Sequence, residues 1–279
     1  MTLTVTALVL LAALMHATWN ALVKASRDVT LDTALVAGSA ALACALLLPF
    51  LPLPETASWP WLLTSGVVHQ AYFFILARAY RHGDLSYAYP LMRGLPPLMV
   101  AAGGALVLND PGSVFLWSGI GMISLGVLWI GGFRHLLLQA RARATLFALA
   151  NAVVIAGYTL VDGVGVRQSG NAASYGLWLF FLTGLPFMAV ALWQRRNLAH
   201  PYLQLKWRRA AVGGCLSVGS YLIALWAMTQ APIAAVAALR ETSVIFAAII
   251  GAVILKEPLG RSRIAGACIV VIGIALLRI

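Results

Sequence analysis

The chain has 279 residues, of which 62% are hydrophobic and 10% are charged. So little polar surface cannot cover a water-soluble globule, and the composition therefore predicts a polytopic membrane protein. The formal net charge is +11, but the basic residues lie in short loops between apolar runs and form no helical stripe, which argues against nucleic-acid binding.

Ten apolar runs follow one another along the chain, each about as long as a helix needs to be to cross a bilayer. They cover residues 4–23, 31–51, 60–80, 85–107, 113–132, 145–164, 172–193, 210–229, 233–255 and 262–278. The polar stretch 198–206, which precedes the eighth run, is predicted to be a cytoplasmic surface loop near the lipid headgroups. The expected fold class is an all-α membrane protein with ten transmembrane helices.

Lysine and arginine set the expected orientation, because the cytoplasmic loops of membrane proteins carry an excess of them. Fifteen of the 19 lysines and arginines lie in or beside the odd-numbered loops. These loops are therefore predicted to be cytoplasmic, with both termini outside. The expected location is the plasma membrane, in a bacterium the inner membrane.

An internal repeat relates the two parts of the chain. An offset of 147 residues carries 61–132 onto 208–279 without a gap and places Arg93 on Arg240. Four glycines also coincide with glycines, Gly66 with Gly213, Gly104 with Gly251, Gly119 with Gly266, and Gly126 with Gly273. Because both copies carry an arginine at one position inside a span, the repeat suggests a site between two related halves.

The two halves are predicted to cover residues 1–132 and 145–279, joined by a basic cytoplasmic linker at 133–144. Each half contains five spans. An odd number of spans reverses the direction of the second half, so the two five-helix repeats must be inverted with respect to each other. Inverted repeats are the arrangement expected of an alternating-access carrier.

Arg93 lies near the middle of the fourth span. A guanidinium at that depth costs roughly 2.5–3.5 kcal/mol on insertion scales, so it is expected to face a partner or an aqueous cavity. Pro90, Pro96 and Pro97 each remove a backbone donor and predict a disturbed helix around Arg93. Tyr89 lies one turn away and is able to supply a hydroxyl group. A kinked helix in which Arg93 binds the freed carbonyls is the alternative to a substrate site.

Arg240 is followed directly by Glu241, the only carboxylate that the sequence places clearly within a span core. Neighbouring residues diverge by about 100° on a helix, so each is expected to meet a group on another helix. Glu241 is also a candidate proton carrier, because ionisable residues inside membranes commonly form proton relays. A static ion pair of Glu241 with Arg93 or Arg240 is the alternative.

Polar residues of the first and sixth spans share helical faces. His16 and Asn20 are four residues apart and lie on one face. Packing between helices and contact with substrate are equally compatible with that pair. Tyr158 and Asp162 have the same spacing in the sixth span. Asp162 lies near the end of its span, where a water-facing or capping role is favoured.

The third and eighth spans carry further polar and aromatic side chains. His69 and Gln70 are adjacent and point about 100° apart, so at most one of them is expected to line a narrow pocket. Tyr221 and Trp226 of the eighth span are able to stack on a substrate, although packing inside the bundle is the more common use of such residues.

Related sequences follow the fourth and ninth spans, Leu108-Asn109-Asp110-Pro111 and Leu255-Lys256-Glu257-Pro258. With the two five-span halves and the glycine-rich fifth and tenth spans, they resemble the drug/metabolite transporter superfamily, in its ten-helix branch of two EamA-type halves. The usual Gly-Glu-Arg at the end of each repeat is replaced here. The resemblance implies secondary transport of small metabolites, often export of amino acids or related compounds, through a central cavity between the halves. The stretches His16–Asn20 and Tyr89–Gly94 are also similar to members associated with phosphonate use.

Together these features predict a secondary transporter, an exporter, of a small anionic or zwitterionic metabolite such as an amino acid. The partners expected are that small molecule, the lipid bilayer and protons as the coupling ion. The predicted substrate-binding residues are Arg93, Arg240, Glu241, His16, Asn20, Trp19, Tyr89 and Tyr158. Glu241 and His16 are also the candidates for proton coupling.

Three other functions fit parts of the pattern. A broad exporter of hydrophobic compounds would use an aromatic pocket made from Trp19, Tyr89, Tyr158 and Trp226. An uptake carrier for a phosphonate-type compound would use the arginines. A nontransporting membrane subunit would use neither the arginines nor the aromatic pocket. No metal, cofactor or enzyme activity is expected, because no metal-ligand spacing, nucleotide-binding loop or nucleophile motif is present.

Overall fold

The chain is described from a computed structural model that covers residues 1–24, 28–82, 85–131, 142–254 and 260–279. The helices of the first half are α1 (Leu3–Lys24), α2 (Val29–Leu47), α3 (Trp59–His82), α4 (Leu85–Gly94), α5 (Pro96–Val107) and α6 (Val114–Ile130). Those of the second half are α7 (Ala142–Arg167), α8 (Ala172–Gln194), α9 (Arg196–Gln230), α10 (Ile233–Arg240), α11 (Ser243–Ile254) and α12 (Arg261–Leu276). Two short 3-10 turns, Leu48–Phe50 and Thr56–Ser58, lie between α2 and α3.

The twelve helices of this description form ten spans, because α4 with α5 and α10 with α11 are each one span broken in the middle. Within the described residues, seven segments are by themselves long and apolar enough to cross a membrane. The expectation of an all-α membrane protein with ten transmembrane helices is confirmed.

The polar stretch 198–206 is helical, so its prediction as a surface loop was wrong. It forms part of α9, which has 35 residues and is therefore about 52 Å long. A bilayer core is only roughly 30 Å thick, and the part of α9 that is long and apolar enough to cross it is Gln204–Gln230. Polarity alone does not end a helix. Most of the predicted linker at 133–144 lies outside the described residues, and the half boundaries stay a prediction.

Contact between α6 and α12 shows that the repeats are inverted. A Cβ atom on Gly119 would lie 2.9 Å from the carbonyl oxygen of Gly273, and one on Gly126 would lie 2.7 Å from that of Gly266. The lower-numbered glycine of α6 therefore meets the higher-numbered glycine of α12, so the helices are antiparallel. The repeat superposes Gly119 on Gly266 and Gly126 on Gly273, and the two contacts exchange under that relation. A local two-fold axis runs between α6 and α12.

Packing elsewhere follows the same symmetry. The repeat relates the first span to the sixth and the third to the eighth, so the close contact of α1 with α9 corresponds to that of α3 with α7. Helix α2 packs against its own counterpart, α8. The broken spans lie among these pairs, with α4 and α5 against α7, and α10 and α11 against α1.

The two helix breaks have different causes. In the first half, α4 ends at Gly94 and Pro96 occupies the first turn of α5, which is where proline is best tolerated. The second break contains no proline. There the N–H groups of Glu241 and Thr242 bond to carbonyls three residues back, at 3.0 and 3.1 Å, so the chain tightens into a 3-10 turn. The break at Pro96 was predicted, whereas the second was not.

Candidate functional site

Arg93 and Arg240 both lie in the last turn of a half-helix, at the C-terminal ends of α4 and α10. A helix C-terminus carries a partial negative charge from its unpaired carbonyls, which favours a cation there. The repeat therefore brings two arginines to the interior of the bundle, each held by the break in its own span. Arg93 is only 9% exposed, and Arg240 is partly exposed.

Arg93 has a carboxylate and a hydroxyl group beside it. Its Nε lies 2.8 Å from Oε2 of Glu241, and its Nη2 donates to Oγ of Ser243 at 3.1 Å. Neither Nε nor Oε2 makes a hydrogen bond within the described residues, so the N–H is not aimed at that oxygen despite the short distance. The contact is an ion pair with unused hydrogen-bonding capacity on both sides. The expectation that Glu241 meets a group on another helix is confirmed.

Arg240 has an aromatic face in place of a carboxylate. Its guanidinium carbon lies 4.8 Å from the centre of the Tyr221 ring, in a cation–π contact. No carboxylate of the described residues lies within ion-pair distance of it. Arg240 thus keeps its donors available on the side away from the ring, which suits a planar anionic group.

Three further predicted residues lie around the two arginines. The phenol groups of Tyr89 and Tyr158 are close enough to Arg93 to interact with its charge, and Tyr158 also lies within reach of Arg240. His16 of α1 is within the electrostatic influence of both arginines. The structure therefore brings Arg93, Arg240, Glu241, His16, Tyr89 and Tyr158 into one region.

Trp19 and Asn20 are less directly placed. The Trp19 ring packs edge-on against His16, with centroids 5.3 Å apart, and its buried Nε1 has no partner among the described residues. The Asn20 amide donates at 2.8 Å to the His16 carbonyl on its own helix, which is neither the contact between helices nor the contact with substrate that the sequence left open. Trp226 is 36% exposed, so it does not close an aromatic pocket.

Asp162 is the main correction to the sequence prediction. It is 0% exposed and accepts hydrogen bonds from Tyr175 at 3.1 Å and Tyr221 at 2.5 Å. A capping or water-facing role was therefore wrong, and Glu241 is not the only carboxylate inside a span. Helix α7 continues past Asp162 to Arg167, so Asp162 is deeper than the apolar run indicated. Its spacing of four from Tyr158 was the signal that pointed inward.

His69 joins this region and Gln70 does not. The His69 ring stacks on Tyr158 with centroids 4.2 Å apart and meets Tyr221 edge-on at 6.3 Å. Gln70 instead donates to the Thr183 carbonyl at 3.0 Å. The two adjacent residues point to different surroundings, as the helical angle between them requires.

The charges of the region balance when all four groups are ionised, with Arg93 and Arg240 against Glu241 and Asp162. The arrangement can hold an anionic group at the arginines and an amine at Glu241. Among the described residues, no group of three histidine, cysteine, aspartate or glutamate side chains is placed to bind a metal ion.

Comparisons with known proteins agree with this architecture. The profile of the EamA-like transporter family matches residues 3–132 and 142–279. Sequence comparison with curated proteins gives no significant match. A solved structure, titled only as the crystal structure of a protein, superposes with a TM-score of 0.74 over 99% of this chain and 98% of its own, at 17% identity. At that identity the likeness shows the fold alone.

Proposed function

The chain belongs to the EamA-like transporter family, and from that premise we propose that this membrane transporter carries a small anionic or zwitterionic metabolite, such as an amino acid. We place it in the bacterial inner membrane, with the odd-numbered loops cytoplasmic and net flux outward. Transport proceeds by rocking of the two inverted halves about the region between Arg93 and Arg240.

The proposal rests on the surroundings of Arg240. Two arginines converge on this region, but Glu241 lies beside only one of them, Arg93. Arg240 has no carboxylate partner among the described residues, and an arginine in that position inside a membrane protein is available to bind a substrate anion. A transporter of hydrophobic cations would require a carboxylate that is open to the substrate and has no arginine beside it, whereas Asp162, the carboxylate without an arginine, is 0% exposed and bonded to two tyrosines.

The substrate contacts follow from the unused hydrogen-bonding groups. A carboxylate or phosphonate binds Arg240 on the side away from Tyr221, and the free Nε–H of Arg93 supplies a second donor. An amine of the substrate binds Glu241, which loosens the Arg93 to Glu241 ion pair. Trp19 Nε1 is a further unpartnered donor in the neighbourhood. Glu241 and His16 are the proposed groups at this site that exchange a proton during the cycle.

A thermal-shift screen of detergent-purified protein tests the proposal. The panel holds amino acids, aminophosphonates, small carboxylates and hydrophobic cations, and each is applied to wild type, Arg240→Ala and the charge-conserving Arg240→Lys. A bound compound stabilises the folded state by about 2.7 kcal/mol at a hundredfold excess over its Kd. We expect an acidic or zwitterionic compound to stabilise wild type, to act weakly on Arg240→Lys, and to have no effect on Arg240→Ala.

Stabilisation by hydrophobic cations alone, equal in all three proteins, would overturn the proposal. That result would favour a broad exporter whose aromatic side chains Tyr89, Tyr158 and Trp19 bind the compound. Stabilisation only by aminophosphonates would narrow the substrate to that class and make uptake, rather than export, the direction to test first.

A further inference from the structure

Asp162 is a second buried carboxylate, and the proposed substrate contacts do not use it. Its side chain is 0% exposed, yet no lysine or arginine of the described residues lies within ion-pair distance of it. Glu241, in contrast, lies 2.8 Å from Arg93. An ionised carboxylate without a counter-ion is costly to bury, whereas a carboxylic acid is not. The two carboxylates of the region therefore differ in what their surroundings provide.

The neighbours of Asp162 can hydrogen-bond either protonation state. Tyr175 and Tyr221 donate to its two oxygens at 3.1 and 2.5 Å. Hydroxyl groups accept as well as donate. They can therefore serve an ionised Asp162 as donors and a protonated Asp162 as an acceptor, which a residue that gains and loses a proton requires.

Tyr221 connects Asp162 to the substrate arginine. Its hydroxyl group donates to Asp162, while its ring face lies 4.8 Å from the Arg240 guanidinium. Any change in the charge of Asp162 thus acts on the ring that supports Arg240. It also changes the charge balance of the region, since two arginines and two carboxylates cancel only when Asp162 is ionised.

We infer that Asp162 is a proton-binding site, and that a proton binds there when an anionic group binds at Arg240. The added proton offsets the added negative charge, so the two bindings strengthen each other. The coupling to anion binding rests on the proposed function, whereas the proton site itself does not. The titratable and charged groups that face this region are His16 of α1, His69 and Tyr72 of α3, Tyr89 and Arg93 of α4, Tyr158 of α7, Tyr175 of α8, Tyr221 of α9, Arg240 of α10, and Glu241, which follows α10.

Infrared spectroscopy of the purified full-length protein tests the proton site without any substrate. A buried carboxylic acid gives its own C=O stretching band, and we expect wild type to show one whose intensity changes with pH. The band of Asp162 should be missing in Asp162→Asn and present in Glu241→Gln, whereas a band from Glu241 should show the opposite pattern. The same band in Asp162→Asn would overturn the inference. If Asp162→Asn does not fold, Asp162→Glu must move the band, and an unmoved band would likewise overturn it.

Ligand-induced stabilisation tests the coupling, with L-glutamate and succinate as probes. We expect the affinity of wild type to fall by roughly 5–150-fold from acidic to alkaline pH, the range of typical coupling energies. Asp162→Asn mimics the protonated state and should lose most of this pH dependence, keeping only the part that Glu241 and His16 contribute. If that variant keeps the full pH dependence, Asp162 does not carry the coupling. If neither probe stabilises wild type, the proposed function loses its support and the infrared result alone decides the proton site.

Discussion

Arg93 and Arg240 occupy one position of the repeat but have different surroundings. Arg93 lies beside Glu241 and Ser243, whereas Arg240 lies over the ring of Tyr221. Under the offset that superposes the arginines, Gly94 and Pro96 of the first half correspond to Glu241 and Ser243. The second half therefore supplies a carboxylate and a hydroxyl group for the arginine of the first half, whereas no carboxylate among the described residues of the first half lies within ion-pair distance of Arg240.

Packing explains why the first half has no carboxylate at this position. A Cβ atom on Gly94 would lie 2.8 Å from Cγ of Leu128, so a glutamate side chain would require Leu128 or α4 to shift. The repeat thus teaches that symmetric backbones need not give symmetric chemistry. Arg93 is neutralised by a carboxylate of the protein, whereas Arg240 has no carboxylate within ion-pair distance among the described residues.

Replacing each arginine by alanine should give the largest difference in stability between the two positions. Arg93→Ala leaves Glu241 buried without its cation, and we expect the protein to lose about 3–5 kcal/mol of stability. Arg240→Ala removes only a cation–π contact and should cost about 0.5–2 kcal/mol. Thermal unfolding of both variants in detergent measures the difference. Equal losses would show that the arginines are not distinguished by their partners.

At the contact between α6 and α12 we expect the opposite result, because substitutions at equivalent positions should reduce stability equally. Gly126 and Gly273 are related by the repeat, and each faces a backbone carbonyl of the other helix, at 2.7 and 2.8 Å from an added Cβ. Gly126→Leu and Gly273→Leu should each cost about 3 kcal/mol, because backbone yields less than a side chain. Unfolding midpoints that differ widely between the two variants would contradict the local two-fold axis.

A smaller effect is expected from Tyr221→Phe, which gives the second half the residue of the first, since Phe74 is the counterpart of Tyr221. The ring under Arg240 remains, and only the hydrogen bond to Asp162 is lost. We expect a loss of about 1.5 kcal/mol in stability. The infrared band assigned to Asp162 should shift. A loss of stability without any change in that band would contradict the hydrogen bond between Tyr221 and Asp162.

The fold and the importance of the two arginines could be predicted because the order and spacing of residues in the chain show both. The offset of 147 residues, the glycines of α6 and α12, and the prolines around Arg93 are read directly from the chain. The sequence predicted the ion pair of Glu241 only as an alternative and left open whether Arg93 or Arg240 is the partner. Helical periodicity does not show which helices lie next to each other.

Depth and helix ends were the parts that sequence reasoning missed. Asp162 looked terminal because its apolar run was counted to residue 164, but α7 continues to Arg167 and Tyr175 and Tyr221 cover the carboxylate. The helix break after Arg240 could not be predicted, because no proline lies there. Side chains of other helices bury Asp162, and a single sequence does not show which helices meet. The turn after Arg240 is closed by local backbone bonds, which no residue type in the sequence marks.

Flux through the reconstituted protein tests the central claim, that Arg240 binds the anionic group of a transported substrate. Proteoliposomes are loaded with the compounds that stabilise wild type, and efflux of labelled compound is followed for wild type, Arg240→Lys and Arg240→Ala. We predict substrate-dependent flux in wild type, reduced flux in Arg240→Lys, and none in Arg240→Ala although that protein stays folded. Equal flux through wild type and a folded Arg240→Ala would contradict the account.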